Sequence, residues 1–137
     1  MELINQIACK KPFILIDKVL SISHRKKIVT LKNISNSDIY LWGHFPSYSI
    51  YPGMLLLEGL NQTAELLMKN SAYQGWNISK SSSRFIQPVI PGDSIIFTVE
   101  IVREDSQTLV FKCIGEKDSQ VIIRAKLEYV KGEKYGL

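Results

Sequence analysis

Apolar positions along this chain follow two different periods. From Met54 to Met68 they are dense: Met54, Leu55, Leu56, Leu57, Leu60, Ala64, Leu66, Leu67 and Met68, while the polar Glu58, Gln62 and Glu65 recur at helical spacing on one narrow stripe. A helix so widely apolar is predicted to be buried, to start after Pro52-Gly53 and to carry Glu58 in or near its first turns. Further on the period changes to two. Ile95, Phe97, Val99 and Ile101 alternate with Ile96, Thr98, Glu100 and Val102, and Thr108 to Ile114 forms a second run beyond the polar turn Glu104–Gln107. In a third run Val121, Ile123, Ala125, Leu127 and Tyr129 share one face, with Arg124, Lys126 and Glu128 on the other. Three strands joined by short polar turns read as an antiparallel meander. One apolar helix and a large antiparallel sheet predict an α+β fold in which the sheet curls around the helix, as a single domain over residues 1–137.

The remaining segments are shorter. Met1–Ile7 suits a short helical turn, and after Pro12 the β-rich run Phe13–Leu20 is predicted as the first strand, with Ile28–Lys32 as its return. Between them His24-Arg25-Lys26-Lys27 reads as a solvated hairpin turn, or alternatively as a basic contact for a phosphate or an acidic partner. Ser35–Asp38 is a turn leading into an irregular loop, bounded by Gly43-His44-Phe45-Pro46 and Tyr51-Pro52-Gly53. Beyond the helix, Asn70–Ser83 is polar and serine-rich and is predicted as a loop anchored by Trp76. Ser83–Ile86 follows as a short strand and Pro91-Gly92-Asp93 as a turn.

Composition narrows the function classes. The 137 residues, 45% hydrophobic and 22% charged, suit one globular domain. The apolar runs are too short to span a bilayer and the N-terminus lacks the pattern of a signal peptide, so a cytoplasmic protein is expected. Cys9 and Cys113 stand far apart, in neither CxxC nor metal-ligand spacing, and read as reduced thiols; no metal site is expected. The net charge of +4 comes from 17 basic and 13 acidic residues scattered without interleaved aromatics, which argues against nucleic acid as a partner. That field still favours an acidic protein or an anionic cofactor arm. No glycine loop suited to cradling a dinucleotide is present.

Two residues stand against their surroundings. Glu58 lies in an apolar helix, where an isolated carboxylate is costly to ionise, so it should have a raised pKa or a hydrogen-bond partner, with Gln62 one turn away as the candidate. His44, in the loop before the helix, is of the residue type whose ordinary pKa lies nearest neutral pH.

The order Gly43-His44-Phe45-Pro46, Pro52-Gly53, Leu57-Glu58-Gly59-Leu60-Asn61-Gln62 and Pro88-Val89-Ile90-Pro91-Gly92-Asp93 resembles the hot-dog-fold 3-hydroxyacyl-[acyl-carrier-protein] dehydratases of the FabZ type. The opening Lys11-Pro12-Phe13-Ile14-Leu15-Ile16-Asp17-Lys18-Val19 is similar to that family's start, so the resemblance covers almost the whole chain. It implies a hot-dog fold and a catalytic pair of His44 and Glu58, with Gln62 holding the glutamate and the helix start at Gly53 meeting the thioester carbonyl. Phe45, Tyr51 and Met54 complete the implied substrate contacts. No cofactor is implied, the substrate arriving on the phosphopantetheine arm of an acyl carrier protein. Homodimers with shared active sites are implied too, with a trimer of dimers as a further stage. In the related FabA type the acid is an aspartate, so Glu58 points to the FabZ side.

Dehydrating a 3-hydroxyacyl thioester requires removing a proton beside the carbonyl and protonating the departing hydroxyl. A neutral histidine suits the first task and a carboxyl kept neutral by burial the second. Backbone N–H groups at a helix start can stabilise charge developing on the carbonyl. The chain departs from the family where Ser47-Tyr48-Ser49 replaces the usual Gly-x-Pro after HFP, and where Cys9-Lys10 replaces a frequent His-Arg. Losing glycine's access to positive φ and proline's fixed φ is expected to re-shape or loosen the loop carrying His44. Two other readings share the fold: an acyl thioesterase, separable by release of the carrier thiol, and a non-catalytic acyl-binding subunit paired with an active homologue.

Overall fold

The computed structural model describes residues 14–35, 50–73 and 75–132. Six strands and one helix follow in the order β1 (Lys18–Ser23), β2 (Lys27–Asn33), α1 (Gly53–Lys69), β3 (Trp76–Phe85), β4 (Ser94–Glu104), β5 (Thr108–Lys117) and β6 (Gln120–Lys131). The strands form one sheet in the order β1-β2-β4-β5-β6-β3, with every pair antiparallel. The expected meander is β4-β5-β6, and α1 packs against β2, β4, β5 and β6.

Burial follows the sequence periods. Ile95, Phe97 and Val99 of β4, Phe111 and Cys113 of β5, and Ile123, Leu127 and Tyr129 of β6 enter one core with Leu60, Leu66 and Leu67 of α1. These three leucines have no exposed surface. Each contributes about 1.5–3 kcal/mol relative to an exposed leucine, and a helix of 17 residues is marginal alone in water, so the sheet sustains α1. Cys113 belongs to this core; burial pushes its thiol up to about 12, which keeps it protonated and unreactive. Cys9 lies outside the described residues.

Gly59 lets the sheet approach the helix. A Cβ there would stand 2.8 Å from Cε2 and Cζ of the buried Phe97 ring. Gly59→Val is therefore expected to lower stability by about 1–3 kcal/mol through overpacking, read as a lower denaturant midpoint at unchanged slope. A midpoint equal to wild type would show that Phe97 can move aside.

Two expectations are corrected. The first strand runs over Lys18–Ser23 rather than Phe13–Leu20. Leu15 and Ile16 are buried, but the Leu15 N–H donates to Gln62 Oε1 at 2.8 Å instead of to a neighbouring strand, so this segment crosses the helix before joining the sheet. The supposed loop Asn70–Ser83 is strand from Trp76 onward, paired with β6 along its length and continuous with the predicted short strand up to Phe85. As an edge strand exposed almost throughout, β3 shows no apolar alternation. The expectations for Met1–Ile7, the loop with Gly43 and His44, and most of Ser35–Asp38 fall outside the described residues.

The first three residues of the basic cluster, His24 to Lys26, form a hairpin turn, and Lys27 opens β2. Arg25 adopts φ of 65° and Lys26 N–H donates to the Ser23 carbonyl at 3.0 Å. The turn also closes the C-terminal end of α1: His24 Nδ1 donates to the Asn70 carbonyl at 2.7 Å and the Arg25 amide to Ser71 Oγ at 2.8 Å.

Candidate active site

Gln62 is fully buried and works in two directions. Its Oε1 accepts the Leu15 amide, and its Nε2 donates across 3.5 Å to Oε1 of Glu58, one turn earlier. The side-chain amide is thereby oriented by the backbone, and it presents its N–H groups to the carboxyl. Glu58 itself is half-buried. The hydrogen-bonded partner expected for Glu58 is thus Gln62.

The start of α1 faces an apolar hollow. Pro52 is the N-cap and supplies no side-chain hydrogen bond, so the first-turn N–H groups lack a side-chain cap. A Cβ at Gly53 would lie 2.9 Å from Cε1 of Phe85, so the aromatic ring closes directly over the helix start. A cavity of about 460 Å³ opens here, lined among others by Tyr51, Gly53, Met54, Phe85, Ile86 and Val89. Met54 and Phe85 remain 69% and 48% exposed, an unusual state for large apolar side chains beside a cavity. The entry to the helix is fixed from the far side: Tyr51 N–H donates to the Val89 carbonyl at 2.7 Å. The segment around Val89 is held in turn by Lys117, whose Nζ donates to the Pro88 carbonyl at 3.2 Å and pairs with Asp93 at 2.9 Å. Burial alone would raise the Asp93 pKa. The Ile90 amide and the Lys117 ammonium outweigh it and hold the carboxyl below its ordinary value.

A larger cavity, about 620 Å³, runs along later turns of the helix, where Asn61, Glu65, Lys69, Trp76 and Tyr129 are among its walls. It does not reach Gly53. Tyr129 donates its hydroxyl to Asn61 Oδ1. Burial above all raises the pKa of that hydroxyl, so it stays a neutral donor.

Of the expected site residues, the structure brings Glu58 and Gln62 together and sets Gly53, Tyr51 and Met54 around one hollow. Phe45 and His44 lie outside the described residues. Sequence reasoning missed Phe85, Val89, Asn61 and Tyr129. Asn61 was within reach of a helical-wheel argument, since it stands three residues from Glu58. Phe85 carried no local signal. Among the described residues no cluster of His, Cys, Asp and Glu could hold a metal ion, and no helix is long and apolar enough to cross a membrane.

A single buried helix laid against an antiparallel sheet, with a carboxyl on the helix and an apolar hollow at its start, defines a hot-dog-fold protein. Comparison narrows this class: the family model of the FabA-like domain matches residues 8–126, and the chain belongs to that family. It is 39% identical over 117 residues to the 3-hydroxyacyl-[acyl-carrier-protein] dehydratase FabZ of Thermotoga neapolitana, covering 85% of each chain. With the FabZ of Desulfotalea psychrophila it shares 35% identity over 125 residues, covering 85% of this chain and 81% of the other. Among solved structures, the dehydratase heterocomplex ApeI:P from Xenorhabdus doucetiae superposes with a TM-score of 0.77 at 12% identity, over 99% of this chain and 94% of that one, a likeness of fold alone.

Proposed function

We propose that this protein is a 3-hydroxyacyl-[acyl-carrier-protein] dehydratase, which removes water from a carrier-bound 3-hydroxyacyl thioester to leave the trans-2-enoyl thioester in fatty acid or related biosynthesis. The observation that carries this reading is the Glu58–Gln62 pair beside an uncapped helix start. The relatives at 35–39% identity, named as FabZ dehydratases, support it.

In this reading the thioester carbonyl sits at the N–H groups around Gly53, where the helix dipole and unpaired donors favour the negative charge that grows as the α-proton leaves. His44 takes that proton. Glu58, oriented by Gln62, donates to the departing hydroxyl, and the reverse hydration uses the same groups. Tyr51, Met54, Phe85 and Val89 keep water from the reacting carbons. No metal or organic cofactor enters the scheme; the substrate is delivered on a phosphopantetheine arm.

The assembly we propose is a homodimer, extended in a trimer of dimers. Its support is β3, a ten-residue edge strand exposed along its length and therefore free to pair with a second copy and continue the sheet. Each site would then take His44 from one subunit and Glu58 from the other.

A panel of 3-hydroxyacyl carriers, followed by mass spectrometry, tests the reaction: loss of water with the carrier thiol still acylated is expected. Release of free carrier thiol would assign a thioesterase, and no turnover by the purified homo-oligomer would leave a binding subunit. Because the chain carries a net charge of +4 and acyl carrier proteins are acidic, added salt should reduce turnover of carrier-linked substrate more steeply than that of a short free thioester. Equal salt dependence would count against electrostatic docking of the carrier.

A further inference from the structure

On the face of the sheet turned away from α1, cations stand opposite cations. Arg84 of β3 is the register partner of Arg124 of β6, and Lys126 of β6 that of Lys112 of β5. Residues two apart on a strand share a face, so Arg124 and Lys126 join the two pairs into a zigzag of four exposed basic side chains. Directly opposed residues in a sheet have Cβ atoms about 4.5–5.5 Å apart, and like charges so placed destabilise it. Interleaved carboxylates would relieve the repulsion, as Glu128 does for Lys80 at 3.9 Å. Glu100 stands opposite Lys112 on its β4 side. Among the described residues, no ion pair or hydrogen bond engages the side chains of Arg84, Arg124 or Lys126.

The four cations line one depression of about 360 Å³, with Ser82 beside them. Its floor lies over Cys113 and Ala125, whose side chains are buried in the core. No carboxylate belongs to its lining. The depression is on the opposite side of the sheet from Gly53 and Glu58, so the dehydration chemistry makes no use of it. Pairing of β3 with a second copy would engage backbone groups in the plane of the sheet and leave this face open.

We propose that this depression binds an anion with two adjacent phosphoryl groups, such as pyrophosphate or a nucleoside diphosphate. The planar forks of Arg84 and Arg124 match the oxygens of one phosphoryl group in paired hydrogen bonds, and the ammonium groups of Lys126 and Lys112 neutralise the other. A filled site converts a mutually repelling zigzag into a neutralised one, so binding and stability are coupled.

Calorimetric titration and thermal unfolding of the full-length protein at low ionic strength test this. Inorganic pyrophosphate is expected to bind at least about tenfold more tightly than orthophosphate and to raise Tm. Arg84→Gln and Arg124→Gln should each weaken pyrophosphate binding by about tenfold or more, the scale of a lost charge-assisted pair. Lys26→Gln, on the hairpin turn, should leave it unchanged. In the absence of ligand, Arg124→Gln should raise Tm by about 1–3 °C, since it removes a like-charge contact. A structural role for Arg124 predicts the opposite sign. Pyrophosphate binding that is no tighter than orthophosphate, or that survives Arg124→Gln, would overturn the proposal. Equal affinity for poly-glutamate would reduce the site to an unselective basic patch and overturn it. Binding to phosphatidylglycerol vesicles without binding to pyrophosphate would assign the cations to lipid headgroups, with the same consequence.

Discussion

Glu58→Gln and His44→Ala are each expected to lower dehydration by about a hundredfold or more, the scale of a positioned general acid or base. The glutamine variant is the sharper probe. An amide at residue 58 keeps a carbonyl oxygen to accept from Gln62 Nε2, so the contact that orients the side chain survives while the transferable proton is lost. Stability should barely change, since the side chain is only half-buried and its shape is conserved. Turnover of a 3-hydroxyacyl carrier by each purified variant, with folding checked by circular dichroism, provides the measurement. A folded variant that keeps near wild-type turnover removes that residue from the mechanism.

Mixing the two variants should restore activity. If each site draws His44 from one subunit and Glu58 from its partner, a dimer of one His44→Ala chain and one Glu58→Gln chain has one site with both lesions and one with neither. Random reassortment makes half the dimers mixed, so roughly a quarter of wild-type sites return in an isologous pair. Each parent alone stays about a hundredfold down, so the recovery would exceed the parents by more than tenfold. Co-refolding equal amounts, confirming mixed dimers by mass and assaying them is sufficient. Recovery no greater than the parents would place both residues of a site in one chain.

The legible parts of this fold were those where one face is buried and the other wet. The alternation in β4 and β6 and the apolar run of α1 follow from burial against a single core, and each was readable from local spacing. The strand β3 was not, because an edge strand can be held by backbone hydrogen bonds to β6 while its serines face solvent. Leu15 misled for the opposite reason: a β-rich apolar segment was taken from the sheet by one hydrogen bond to a buried glutamine 47 residues away. Of the site, the Glu58–Gln62 pair was readable because its members are one helical turn apart.

By itself, then, the sequence determined the central helix, the meander and the identity of the residues with chemistry to offer, since these rest on period, propensity and motif order. Tertiary structure alone brought Phe85 over Gly53, set Tyr129 against Asn61 and aligned Arg84 with Arg124 and Lys112 with Lys126. Those contacts join residues 14 to 68 positions apart, where strand register and helix approach depend on how the whole core packs and no local pattern carries the information.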